Sequence, residues 1–112
     1  MIWRMTASGK KSMKVFIFIS QPMNGRTDEE ILNEREAIVD ELTKQYGDDI
    51  SIINSFIGSA PEDAAPLWYL GKSLELLSTA DVAVFAKGWK NARGCRIEHE
   101  ACEEYGIKIM EL

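Results

Sequence analysis

The chain has 112 residues, enough for one domain whose core needs no metal or disulfide staple. It is 46% hydrophobic and 28% charged, as ordinary globular domains are, and its net charge of −5 argues against binding nucleic-acid polymers, which takes a basic face. No apolar run reaches membrane-spanning length, residues 1–12 lack the apolar stretch of a secretory signal, and Cys95 and Cys102 are too few for a disulfide framework, so a reduced, cytoplasmic protein is expected.

Residues 1–12 read as a disordered basic extension, and the domain is expected over 13–112. Lys14 to Ser20 is a nearly unbroken apolar run, the pattern of a strand buried on both faces of a parallel sheet. Gln21 to Gly25 is rich in turn formers. Thr27 to Glu30 reads as a capping box in which hydroxyl and carboxylate each take a free backbone N–H. The helix it opens puts Ile31, Ile38, Leu42 and Tyr46 on one face and stops at Gly47.

Ile50 to Asn54 reads as the second strand and Phe56 to Ala65 as a loop. Pro66 suits the first turn of a second helix with an apolar stripe of Leu67, Leu70, Leu74 and Leu77. Asp81 to Ala86 is a third, almost wholly apolar strand, followed by the polar loop Lys87 to Arg93. Gly94 to Tyr105 is a third helix closed by Gly106, and Ile107 to Met110 a last strand.

The order β-α-β-α-β-α-β predicts a single three-layer α/β domain with a parallel, Rossmann- or flavodoxin-like sheet of about four strands. Ligands of such sheets bind beyond the carboxyl ends of the strands, where strand order reverses. The loops 20–26, 54–65 and 87–94 converge there.

Val82 to Ile97 contains Lys87, Lys90, Arg93 and Arg96 and no acid, within a chain that beyond residue 14 carries −9. That island reads as an anion site or as a solvated loop. Glu98 lies about one turn into the third helix, past this loop and past Gly94, where a carboxylate faces the crevice. The plainer reading makes it a solvent-facing helix residue like Glu100, Glu103 and Glu104.

Cys95, His99 and Cys102 share a helical face, but a structural zinc needs a fourth ligand and the chain has no further Cys or His, so no metal is expected. Ser20 to Gly25 lacks the P-loop and G-x-G-x-x-G patterns, yet a loop here presents N–H groups to an anion or makes a plain turn. Trp68, Tyr69 and Trp89 suit base stacking or subunit contact.

Four segments taken together carry a resemblance. They are Phe-Ile-Ser-Gln-Pro-Met-Asn-Gly (18–25), Leu-Ser-Thr-Ala-Asp-Val-Ala-Val (77–84), Gly-Trp (88–89), and Gly-Cys-Arg-Ile-Glu-His-Glu-Ala (94–101) with Tyr-Gly-Ile-Lys (105–108). In order and spacing the chain resembles the nucleoside 2-deoxyribosyltransferase-like superfamily, nearest a branch of short uncharacterised bacterial and phage proteins.

The resemblance implies that Glu98, eight positions before Gly106, is a nucleophile attacking C1′ of a nucleoside or nucleotide. It implies ligand contacts by Ser20, Gln21, Pro22, Met23, Asn24 and Gly25 on one wall and Trp89, Arg93 and Gly94 on the other. It implies no cofactor, a nucleoside or nucleotide as partner, and a homo-oligomer.

There are two departures. Catalytic members carry an aspartate eight residues before the Asp that opens the third strand, and counting back from Asp81 gives Ser73, a poor proton donor. Transferase members also continue past the last strand, whereas this sequence ends at Leu112. The alternatives are a non-catalytic nucleotide-binding protein that keeps the pocket, or an oligomeric structural protein in which Glu98 pairs with Arg35 or Arg96.

Overall fold

Residues 2–5, 11–55 and 59–112 are described by the computed structural model, with backbone only for 2–5 and 11–13. The elements are β1 (Ile2–Met5), β2 (Lys11–Ser20), α1 (Asp28–Tyr46), β3 (Ile50–Ile52), α2 (Pro66–Leu77), β4 (Val82–Phe85), a 3-10 turn (Trp89–Asn91), α3 (Arg93–Tyr105) and β5 (Lys108–Glu111).

Four strands form an all-parallel sheet in the order β3-β2-β4-β5, a flavodoxin- or Rossmann-like arrangement. Ile17 sits at its middle, paired with Ile52 on one side and Val82 on the other. Strand order reverses between β2 and β4, whose ladder runs on past the strand ends through Ala86 N–H to Ser20 C=O at 2.9 Å.

The period-2 alternation of β2 and β4 sorts their side chains to two faces. Val15, Ile17, Ile19, Val82, Val84 and Ala86 pack with Ile38 and Leu42 of α1. Phe18, Ala83 and Phe85 pack with Leu77 of α2 and Cys102 of α3. One helix therefore covers one face and two cover the other, as right-handed crossovers require when the chain starts near the middle of the sheet. Every residue of β4 is buried, which explains its lack of polar alternation.

Four details differ from the sequence expectation. The extension expected over residues 1–12 lies partly outside the described residues, but Ile2–Met5 is strand and pairs antiparallel with Lys11–Lys14. That pairing satisfies backbone groups at the start of β2, which extends beyond the parallel ladder. Leu67 does not join the α2 stripe: it is 75% exposed in the first turn, while Leu74 and Leu77 pack inward.

The capping box is half formed. The Thr27 hydroxyl accepts from Glu30 N–H at 3.1 Å, but the Glu30 carboxylate takes the Thr27 hydroxyl proton instead of a backbone N–H. Finally, β3 ends at Ile52, and residues 56–58 of the following loop lie outside the described residues.

Candidate functional site

The reversal between β2 and β4 puts the last side chain of β2 beneath the first turns of α3. Ser20 points to the α3 side of the sheet, and its hydroxyl donates to Glu98 Oε1 at 2.8 Å. Both residues are buried, Glu98 to 6% exposure. Burial pushes the Glu98 carboxyl up to about 7, with the Ser20 hydrogen bond pulling it back down. The result is a carboxylate that changes charge near neutrality. Its place, beyond the carboxyl ends of the strands at the reversal, is where such sheets bind ligands.

Glu98 forms no ion pair with Arg35 or Arg96 among the described residues. Arg96 instead donates to Lys90 C=O at 3.0 Å, and Arg35 points toward β3. The pairing considered from sequence is thereby corrected: the buried carboxylate is held by a neutral hydroxyl.

Gly94 lies one helical turn before Glu98 on the same face. A Cβ built there meets nothing within 4 Å, so the backbone borders open space beside the carboxylate. No side chain caps α3 at Ala92, and its first turn carries no acid. Arg93 is exposed in that turn. The two walls meet where Pro22 lies 3.7 Å from the Cβ position of Gly88, a residue at φ 84° that turns the second wall into its 3-10 turn.

The remaining expected residues divide. Gln21 is buried but follows the strand alternation to the other face, away from Glu98. Its Nε2 donates to Ile31 C=O at 3.0 Å and to Glu34 Oε1 at 2.9 Å, and its Oε1 accepts from Arg35. Arg26 joins Glu34 at 3.0 Å and also donates to Pro22 C=O. Burial alone would raise the Glu34 carboxyl, but the hydrogen bonds from Gln21 and Arg26 and the Arg26 charge hold it below its ordinary value. Gln21 thus clasps the loop to α1. Pro22 is half-buried, and Met23, Asn24 and Gly25 are exposed on the loop. Ser73 is half-buried on α2, and its hydroxyl makes no hydrogen bond among the described residues.

Trp89 is turned inward. Its ring stacks on His99 at 4.0 Å with an interplanar angle of 6°, and it leans on Phe85 at 5.5 Å. One face of the indole is therefore spent inside the protein. Trp68 and Tyr69 form an edge-to-face pair at 5.2 Å in the first turn of α2. Sequence reasoning missed the Trp89–His99 stack because nothing local links two rings ten positions apart.

Both cysteines are buried free thiols. Burial raises Cys95, the Ser20 hydroxyl lowers it, and the charges of Glu98 and Glu34 raise it again, for a net upward shift. Burial and neighbouring carboxylates push Cys102 up to about 11. Neither is an activated thiolate. Among the described residues no group of three or more His, Cys, Asp and Glu could hold a metal ion, and no helix is long and apolar enough to cross a membrane.

The model of one family, described as a domain of unknown function (DUF4406), matches residues 13–111. No curated protein and no solved structure matches the chain.

Proposed function

The chain belongs to the DUF4406 family, and from that premise we propose that it cleaves the N-glycosidic bond of a nucleoside 5′-phosphate, with Glu98 as nucleophile. The observation that carries this reading is the buried Glu98 carboxylate, held by Ser20 at the strand-order reversal and titrating near 7. The resemblance in segments 18–25, 77–84 and 94–101 to nucleoside 2-deoxyribosyltransferase-like proteins supports the same chemistry.

In the first step Glu98 Oε bonds to C1′ while the bond from C1′ to the base nitrogen breaks. The bonding pair leaves with the base, which takes a proton from solvent. In the second step a water oxygen attacks C1′, the Glu98 carboxylate departs and the water loses a proton to solvent. The products are free base and sugar phosphate; an acceptor base in place of water gives transfer. The transition state resembles an oxocarbenium ion, which a nearby carboxylate stabilises. The basic stretch Lys87 to Arg96 favours a phosphorylated substrate. The open space at Gly94 supplies the approach.

Ser73 favours a second reading, in which the pocket binds a nucleotide without turning it over, because a hydroxyl at that place protonates a leaving base poorly. Incubation with a panel of deoxynucleoside 5′-monophosphates, following free base by chromatography, separates the two. Wild type is expected to release base at least about a thousand-fold faster than Glu98→Ala. Equal rates end the enzyme reading and leave binding. A cytoplasmic homo-oligomer belongs to the same proposal, and sedimentation velocity tests the oligomer.

A further inference from the structure

His99 is the one histidine of the chain. It follows Glu98 on α3, but its ring lies against the last residues of β4 and β5. Phe85 meets it edge-on at 4.8 Å, Trp89 stacks on it at 4.0 Å, and in the ladder Phe85 is paired with Glu111.

The two ring nitrogens are placed differently. Nδ1 is 3.0 Å from Glu103 Oε1, one turn along α3. An ionised carboxylate only accepts, so Nδ1 carries the ring hydrogen. In a neutral imidazole Nε2 is then a bare lone pair. It is shut off from solvent and has no hydrogen-bond partner, alone in this among the buried side-chain polar atoms of the described residues. Glu111 Oε1 stands 3.9 Å from it, and that is a second acceptor. A lone pair gains nothing from a carboxylate, and a buried polar atom left unpaired is a cost that calls for an explanation. An N–H at the same atom would meet the carboxylate in a charge-assisted hydrogen bond.

The charged groups around the ring favour that state. From α3 it meets Glu103, from β5 Glu111, and from β4 the uncharged Phe85. The 3-10 turn supplies Trp89, over whose indole Lys90 Nζ lies at 5.7 Å. One carboxylate therefore stands at each nitrogen, and the one cation among these groups lies over the indole. The separation of 3.9 Å is beyond hydrogen-bond reach, so the second contact closes by a small movement of Glu111, whose side chain is 48% exposed.

We propose that His99 is a proton-operated clamp joining α3 to β5: a proton taken from solvent at Nε2 makes the ring an imidazolium, draws Glu111 into a hydrogen bond and fastens the strand, and loss of that proton releases it. Imidazole is the side chain whose ordinary titration falls in the physiological range, as such a device needs. The strand it holds is short and, among the described residues, pairs only with β4, its ladder ending at Leu112 N–H to Phe85 C=O at 3.0 Å. The same ring supports Trp89, so the clamp bears also on the loop 87–94.

Nitrogen-15 NMR of the imidazole in the full-length wild type tests the first half, and a single histidine makes its signals unambiguous. The neutral ring is expected with its hydrogen on Nδ1. A hydrogen on Nε2 would donate toward Glu111 with no added proton and overturns the clamp. The second half is tested by a double-mutant cycle of His99→Phe, which keeps a ring on Trp89, and Glu111→Ala. Urea-derived stabilities are compared at pH about 5.5 and about 8, either side of the ordinary imidazole range. The cycle cancels the Glu98 titration, which all four proteins share. The coupling of His99 to Glu111 is expected to favour folding at least about threefold at the lower pH and to vanish at the higher. Equal coupling at both, or none at either, overturns the proposal. If a variant fails to fold, the carbon-13 carboxyl signal of Glu111 in the wild type decides: it is expected to move in step with ring protonation, and a signal indifferent to the ring overturns the clamp.

Discussion

Ser20 is the only hydrogen-bond partner of the Glu98 carboxylate among the described residues, so the two set one titration between them. The hydroxyl donates to the ionised form and lowers the pKa that burial has raised to about 7. Ser20→Ala removes that opposition without adding bulk. The Glu98 pKa is expected to rise by about one, the size of one net hydrogen bond to a charged group. A nucleophile must be ionised, so the ascending limb of the pH–rate profile should move up by the same amount. Carbon-13 NMR of the Glu98 carboxyl reads the change without relying on turnover, and an unmoved titration would show that Ser20 does not control it. At this scale the sequence pattern put Ser20 at the end of a strand and Glu98 near the start of a helix, and the structure brings the two side chains together. Gln21 was legible in principle: adjacent strand residues face opposite sides, so it and Ser20 could not share a site wall. The stack of Trp89 on His99 was not, since it arises where β4, its loop and α3 meet in space.

The elements that frame the site depend on two glycines with opposite demands. Gly88 sits at φ 84°, where a side chain is strained, while its nearest neighbour, Pro22 Cγ at 3.7 Å, is in ordinary contact range. Gly88→Ala is therefore expected to cost about 1 kcal/mol through backbone strain alone, read by urea denaturation. Gly94 has helical backbone and empty space around its Cβ position. Gly94→Ala is expected to stabilise the domain by roughly 0.5–1 kcal/mol, because alanine is the better helix former. If the space beside Gly94 is the substrate's approach, the same variant raises KM; greater stability with unchanged KM would place the approach elsewhere. The elements were legible where periodicity was strong, as in β2, β4 and α1. They were less so where tertiary context decided: Leu67 fits the α2 stripe by spacing but lies in the first turn, beyond the cover of the sheet. The strand Ile2–Met5 has no isolated signal and exists by pairing with the start of β2.

For the whole molecule, the raised carboxyl of Glu98 is a statement about stability as well as chemistry. Its folded pKa of about 7 lies above the ordinary glutamate value of 4.5, so between those limits the native state binds more protons than the unfolded chain. Stability from this group is fully present below about pH 4.5 and is lost as pH rises through 7. The loss approaches on the order of 3 kcal/mol by pH 8, because each pH unit between the two values costs about 1.4 kcal/mol. Glu34 works in the opposite sense: held below its ordinary value, it contributes above that value and loses its contribution only in acid. The two windows do not overlap, so maximum stability is expected near pH 5 and the decline toward pH 8 isolates Glu98. Glu98→Gln keeps the shape, leaves Ser20 a partner and cannot ionise. Its urea-derived stability should be nearly flat from pH 5 to 8, crossing the wild-type curve and exceeding it at pH 8. Curves that stay parallel across that range would mean that Glu98 is not a desolvated carboxylate in the folded protein. A desolvated carboxylate kept at the strand-order reversal, at a cost in stability above neutral pH, is what a site selected for reactivity rather than for stability should show.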